Sequence, residues 1–189
     1  MLDKFKAFFR GGVYESTKKN FYPIGTGRRV MVDAAGDVIF ATCIEILAKN
    51  IGQIQWGLYD PGGNTPAVFG PCYERALNVE PYDGINAYEF WRWIEIQRNT
   101  YGNAYAYIQC GKSGVVEKLI PLNAFNVRAY WDNADILQGR RKMVYEYYDS
   151  QSGHKFTILP EEILHFKAFS INGLVGRRAI DVLMNALKG

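Results

Sequence analysis

The feature that most constrains this chain is an abrupt change of hydrophobic period at Gly102-Asn103. Before it, Phe90, Trp93, Ile94 and Tyr101 recur at helical spacing along one side, opposite Glu89, Arg92, Glu95 and Asn99. Asn86, three residues ahead of Glu89, supplies an N-cap pair of the capping-box kind. After it, Ala104, Ala106, Ile108 and Cys110 alternate with Tyr105, Tyr107 and Gln109, which is the period of a strand. The stretch Gly111-Lys112-Ser113-Gly114 reverses the chain, and Val115 to Ile120 returns as the second strand of a hairpin. A helix running straight into an antiparallel hairpin points to an α+β fold, with mostly antiparallel strands packed against a few amphipathic helices.

The remaining segments fit that frame. Phe40, Ile44, Leu47, Ala48 and Ile51 form the apolar stripe of an earlier helix that ends near Asn50 to Gly52, with Glu45 and Lys49 placed as an i,i+4 ion pair. A short strand is expected within Ile54 to Tyr59, turning at Asp60 to Gly63. Further strands are expected at Val127 to Trp131, Met143 to Tyr148 and Lys155 to Leu159, the last two joined as a hairpin. Leu159 to Ser170 reads as a turn into a short helix or strand. Ile180, Leu183, Met184 and Leu187 form an i, i+3, i+4, i+7 stripe on a closing helix. That stripe has no later segment to cover it, so a chain cut short, or a partner surface on another subunit, is expected. Residues 1–35 read as an extended arm, because glycines, prolines and polar groups follow one another there without periodicity, and 36–189 as one α+β domain.

Composition narrows the function classes. With 48% hydrophobic and 22% charged residues the chain can bury a core, and a formal charge of +3 is too small to mark a dedicated nucleic-acid binder. No apolar run approaches the roughly 20 residues that span a bilayer, and the first residues lack the pattern of a cleaved secretory signal, so a cytosolic setting is expected. Leu2, Phe5, Phe8 and Phe9 with Lys4, Lys6 and Arg10 leave two readings for the start of the chain, a membrane-surface segment or an arm docking on a neighbouring subunit. Cys43, Cys72 and Cys110 are odd in number and widely spaced, which argues against both a disulfide framework and a zinc site. Cys43 and Cys110 read as small buried hydrophobes.

Few residues suggest chemistry. Glu162-x-x-His165 has the spacing of one half of a di-iron site, but a second such pair and further carboxylates are missing. His165 is better read as a hydrogen-bonded histidine at a strand edge. Gly25-Thr26-Gly27-Arg28-Arg29 lacks the Gly-Lys-Ser/Thr of a phosphate loop. Basic groups at Lys18-Lys19, Arg28-Arg29, Arg140-Arg141-Lys142 and Arg177-Arg178 are candidates for phosphate contact, with Arg177 and Arg178 placed best. The tyrosine face and Trp91, Trp93 and Trp131 offer rings for base stacking, but the strand face at Tyr105 to Gln109 carries no interleaved cations, so a packed sheet face or a subunit contact fits better. No cofactor or metal is indicated.

Five sets of residues, in order, resemble the portal proteins, or head-tail connectors, of long-tailed double-stranded DNA phages. They are Cys43-Ile44 with Leu47-Ala48 and Ile51; Glu89-Phe90-Trp91; Gly102-Asn103-Ala104-Tyr105; Leu159-Pro160-x-Glu162 with Leu164-His165-Phe166; and Gly173-Leu174-x-Gly176 with Ile180. Where that family commonly has Ser-Pro after the last glycine, this chain has Arg177-Arg178. Family members also continue into stem helices and a clip, and the resemblance covers only the outer, wing-like region that precedes them. It implies a structural, non-enzymatic subunit of a homo-oligomeric ring, usually of twelve copies, at a capsid vertex of the virion, assembled in the host cytoplasm. The implied partners are capsid protein, terminase, head-tail adaptors and the double-stranded DNA in the channel. Arg177, Arg178, Arg140 and Arg141 are then candidate DNA or subunit contacts. Tyr105, Tyr107, Ile180, Leu183, Met184 and Leu187 are candidate packing residues between subunits. Two other classes compete: a DNA-binding module built on the basic doublets and aromatics, and a small metal-dependent hydrolase or nuclease built on Glu161, Glu162 and His165.

Overall fold

A computed structural model describes residues 38–59, 71–132, 142–150, 152–171 and 173–182. Helix α1 spans Val38–Gly52, α2 spans Pro71–Glu74 and runs into one π-helical turn at Arg75–Val79, and α3 spans Ala87–Tyr101. Strands β1 (Asn103–Cys110) and β2 (Val116–Leu122) form the expected hairpin. Strands β3 (Val127–Asp132), β4 (Lys142–Tyr148), β5 (Lys155–Ile158) and β6 (Ile163–Lys167) follow, with short 3-10 turns at Ala124–Asn126 and Pro160–Glu162. The fold is α+β, as expected.

The strands form two antiparallel sheets, ordered β2-β1-β6 and β3-β4-β5. The alternation in β1 decides how the layers stack. Ala104 and Ala106 are completely buried against Phe90, Trp91 and Ile94 of α3, and methyl-sized side chains let helix and strand approach closely. Tyr105 and Tyr107, on the opposite face, are each only 3% exposed and pack with Leu122, Val127, Tyr145, Ile158 and Ile163 between the two sheets. Strand β1 is therefore buried on both faces, in a stack of helices, first sheet and second sheet.

Helix α3 starts as its sequence requires, with the Asn86 side chain accepting the Glu89 N–H at 2.9 Å. It is tied to α1 by a forked ion pair, since Arg92 Nη2 lies 2.8 and 2.9 Å from the two Glu45 carboxylate oxygens. Hydrogen bonding from Arg92 holds the Glu45 carboxyl below its usual range. The expected Glu45 to Lys49 pair also forms, more loosely, at 3.6 Å. Trp91 is the centre of the helix layer. Its ring meets Phe90 and Phe166 edge-on and Trp56 at 4.4 Å, and its indole N–H donates to the Leu77 carbonyl at 2.8 Å. A base-stacking role does not fit Trp91, because its ring is buried and its donor is occupied inside the chain.

Several expectations need correction. Residues 54–58 form no strand. The backbone of Trp56 is instead gripped by Asn78, whose side chain accepts its N–H at 2.8 Å and donates to its carbonyl at 2.9 Å. Glu95, assigned to the polar side of α3, is buried, because Arg98 and Asn99 one turn later both bond its carboxylate. Tyr101 and Leu47, assigned to apolar faces, are exposed, as is Cys43. The Asp60 to Gly63 turn and the arm at 1–35 lie outside the described residues.

Candidate functional site

The last residue of α3 hands over to β1 through Gly102, whose φ of 79° is the left-handed conformation that closes a helix. Space is as restrictive there as conformation. A Cβ on Gly102 would lie 2.6 Å from the Gly176 carbonyl oxygen and the Arg177 carbonyl carbon. Gly176 is the mirror of this contact, since a Cβ on it would collide with the backbone of Gly102 and Ala168. Two glycines far apart in sequence thus let the start of β1 and the segment after β6 touch backbone to backbone. The Gly102 carbonyl accepts the Ala168 N–H at 2.9 Å, which extends that contact.

Asn103 locks it. Its Oδ1 accepts the Gly176 N–H at 2.7 Å and its Nδ2 donates to the Gly176 carbonyl at 3.1 Å. Only a primary amide offers a donor and an acceptor so placed, so aspartate could not serve both bonds. The same Oδ1 faces His165 Nε2 at 2.9 Å. Because the Gly176 amide fixes which end of the Asn103 side chain is oxygen, His165 must carry its hydrogen on Nε2 and donate it. Nδ1 is then bare and accepts from the Tyr145 hydroxyl at 3.2 Å. Tyr105 stacks on the imidazole at 4.5 Å and Tyr145 meets it edge-on. Burial, helped by the nearby Lys167 charge, lowers the His165 pKa to about 4, so the ring is neutral near neutral pH. Burial also pushes the Tyr145 phenol up to about 12, keeping it a donor.

Beyond β6 the chain folds back on itself. Lys167 Nζ donates to the Gly173 carbonyl, Ser170 Oγ to the Val175 carbonyl, and the Arg177 N–H to the Phe169 carbonyl. Arg178 then forks onto Asp181, at 2.8 and 2.7 Å, across the first turn of a helix described from 179 to 182. The result is a joint. Three sequence motifs, Gly102-Asn103, Leu164-His165-Phe166 and Gly173 to Gly176, converge to set where the chain leaves the two sheets.

Both His165 nitrogens are engaged in this joint, Nδ1 by the Tyr145 hydroxyl and Nε2 by Asn103. Among the described residues no group of three or more His, Cys, Asp and Glu side chains is placed to hold a metal. Glu162 has its own partner, its carboxylate accepting the Leu159 N–H at 3.1 Å. Of the three residues behind the hydrolase reading, Glu162 and His165 have separate structural partners and Glu161 is exposed. The reading of His165 as a hydrogen-bonded histidine at a strand edge agrees with the geometry, β6 being an edge strand.

The other candidates divide. Tyr105 and Tyr107 cannot pack against another subunit, because their rings are used up between the sheets of their own chain. Arg178 is held by Asp181, whereas Arg177 is exposed. Ile180 is partly buried. Arg140, Arg141, Leu183, Met184 and Leu187 lie outside the described residues. The sequence marked Asn103 and Gly176 as motif residues without revealing that they bond each other. The available signal was a helix-stopping Gly-Asn paired with a second glycine motif, and nothing local says that the two meet.

The stack of helices on two antiparallel sheets is shared with known particle necks. A chain in the neck of an empty gene transfer agent particle, computed with C6 symmetry, matches with a TM-score of 0.65 and 20% identity, over 88% of this chain and 44% of that one. A chain in the virion of a native gene transfer agent particle matches with a TM-score of 0.62 and 18% identity, over 99% of this chain and 46% of that one. These likenesses are of fold. In sequence, the family described as phage portal protein matches residues 39–189. The chain belongs to the phage portal protein family. It is 33% identical over 102 residues to the portal protein of Enterobacteria phage HK97, covering 54% of this chain and 22% of that protein. It therefore spans about a fifth of that relative and less than half of the matched structures.

Proposed function

We propose that this chain is the wing-like part of a portal ring subunit, with residues 1–35 as an arm and 36–189 as the wing, working without catalysis. The family match over 39–189 carries this reading, and the convergence of three of its motifs on the Asn103 joint gives it a physical role. The joint fixes the direction in which the chain leaves the sheets. A ring subunit needs that constancy, because each copy must present the same two unlike patches to its neighbours for the ring to close. The ring, of about twelve copies as the family resemblance implies and closed by heterologous contacts, stands at a capsid vertex of the virion. It meets capsid protein, terminase and head-tail adaptors, and passes double-stranded DNA. Exposed Arg177, with Arg140 and Arg141, is the basic group offered to DNA or a neighbouring subunit, and Ile180, Leu183, Met184 and Leu187 are the apolar stripe offered to the next helix or subunit.

Electron microscopy or native mass spectrometry of the polypeptide, extended beyond Gly189 to the length of its relatives, is expected to show closed rings. Strictly monomeric behaviour at high concentration would overturn the proposal. The competing DNA-binding reading requires salt-dependent binding by the chain itself, weakened by Arg177→Glu.

A further inference from the structure

The joint reaches further than the contact it closes. Tyr145 belongs to β4, in the middle of the second sheet. His165 belongs to β6, the edge of the first. Asn103 opens β1, and Gly176 stands just before the turn described from 179 to 182. One line of hydrogen bonds crosses all of them: Tyr145 O–H to His165 Nδ1, His165 Nε2–H to Asn103 Oδ1, and Gly176 N–H to that same oxygen. We propose that Tyr145, His165 and Asn103 act as a directional relay through which the packing of the second sheet on the first controls how tightly the exit of the chain is held at Gly176.

The direction is set by chemistry. A backbone N–H can only donate, so Asn103 must present oxygen to it. Oxygen can only accept, so His165 must donate from Nε2 and present a bare Nδ1. Tyr145, as a phenol, supplies the hydrogen that Nδ1 needs. Each group is thus committed by its neighbour, and the stretch from Tyr145 to Asn103 runs head to tail and is polarised together. At Asn103 Oδ1 two donors converge, so the effect on Gly176 comes through the position in which His165 holds the amide. If the second sheet moves away and takes the Tyr145 hydroxyl with it, the imidazole loses the contact that fixes its ring, and Asn103 loses a fixed donor. The Gly176 amide, two bonds further on, then opens more often. The relay does not depend on assembly into a ring, so it can fail while the portal reading stands, and the reverse.

Amide hydrogen exchange measured by NMR on the 189-residue chain tests this. The readout is exchange at the Gly176 amide relative to the Leu119 amide, which bonds the Pro81 carbonyl at 2.7 Å away from the joint. Tyr145→Phe removes one oxygen that does not touch Gly176. It is expected to speed Gly176 exchange by about threefold to tenfold, the loss of roughly one net hydrogen bond, while Leu119 stays within about twofold. Tyr147→Phe, on the same strand, leaves the ratio unchanged. Unaltered Gly176 exchange in Tyr145→Phe, alongside faster exchange in Asn103→Ala, would show a purely local clamp and overturn the relay. Equal acceleration at Gly176 and Leu119 would reduce the effect to general loosening and overturn it too. A measurement needing no variant is the nitrogen chemical shift of the His165 ring, where hydrogen on Nε2 is expected and hydrogen on Nδ1 would sink the proposal.

Discussion

Asn103 does the work of two residues, since one amide serves Gly176 through both of its polar ends and His165 as well. Asn103→Ala leaves the Gly176 N–H and the His165 Nε2–H without partners in a mostly buried place, and is expected to cost about 2 kcal/mol or more in urea denaturation. His165 gives the joint a pH dependence whose sign follows from its lowered pKa. Its unfolded value is near 6.5 and its folded value about 4, so the unfolded chain binds the proton more readily between those limits. The stabilisation is therefore complete above the unfolded value, declines as pH falls through the interval with a slope of at most about 1.4 kcal/mol per unit, and is gone below pH 4. Tyr105, Tyr145 and Lys167 surround the ring, and among the described residues its two nitrogens face a phenol and an amide oxygen rather than a carboxylate. Denaturation midpoints of the native chain and His165→Gln are expected to converge as pH drops from 7 towards 4. At this scale the sequence already showed a hydrogen-bonded His165. The Asn103 to Gly176 contact stayed hidden because its partners are 73 positions apart.

Elements were legible wherever a local rule sufficed. The α3 cap, the Gly102 stop, the hairpin around Gly111 to Gly114 and strands β3 to β5 all follow from spacing and turn chemistry. Asn86→Ala is expected to lower stability by about 1 kcal/mol, read from Tm, with Asn86→Ser losing far less because serine can still accept the Glu89 N–H. The failures share one cause, a distant side chain that overrides local preference. Residues 54–58 have the β-prone look of a strand, yet Asn78 takes both backbone groups of Trp56 that a neighbouring strand would need. Glu95 has helical polar-face spacing, yet Arg98 and Asn99 satisfy its carboxylate and let it sink. The helix at Pro71–Glu74 with its π-helical turn carries no apolar period long enough to announce it.

At the scale of the molecule, the tyrosines of β1 separate two pictures. A subunit interface at Tyr105 and Tyr107 would leave the lone chain indifferent to their loss, whereas an internal wall would not. Tyr107 lies between the sheets at 3% exposure, so Tyr107→Ala is expected to cost the isolated chain about 3 kcal/mol or more, measured by chemical denaturation at a concentration where it is monomeric. What the chain leaves outside is apolar elsewhere. Ile46 and Leu47 on α1, and Phe169 and Ile171 after β6, are all about half exposed or more. The sequence could not reveal this, because α1 is apolar on more than one side and only packing decides which side faces inward.

The contact between Gly102 and Gly176 has a mechanical consequence. Every strand among the described residues lies between these two glycines along the chain, yet their backbones touch. A pull applied beyond Asp181 and resisted by α3 would load the Arg177 to Phe169 bond and the Asn103 to Gly176 bonds first, ahead of the strands that lie between Asn103 and Lys167. Most of the length of the sheets would stay out of that load path until those few bonds gave way, so the joint would act as a fuse for force arriving along the polypeptide.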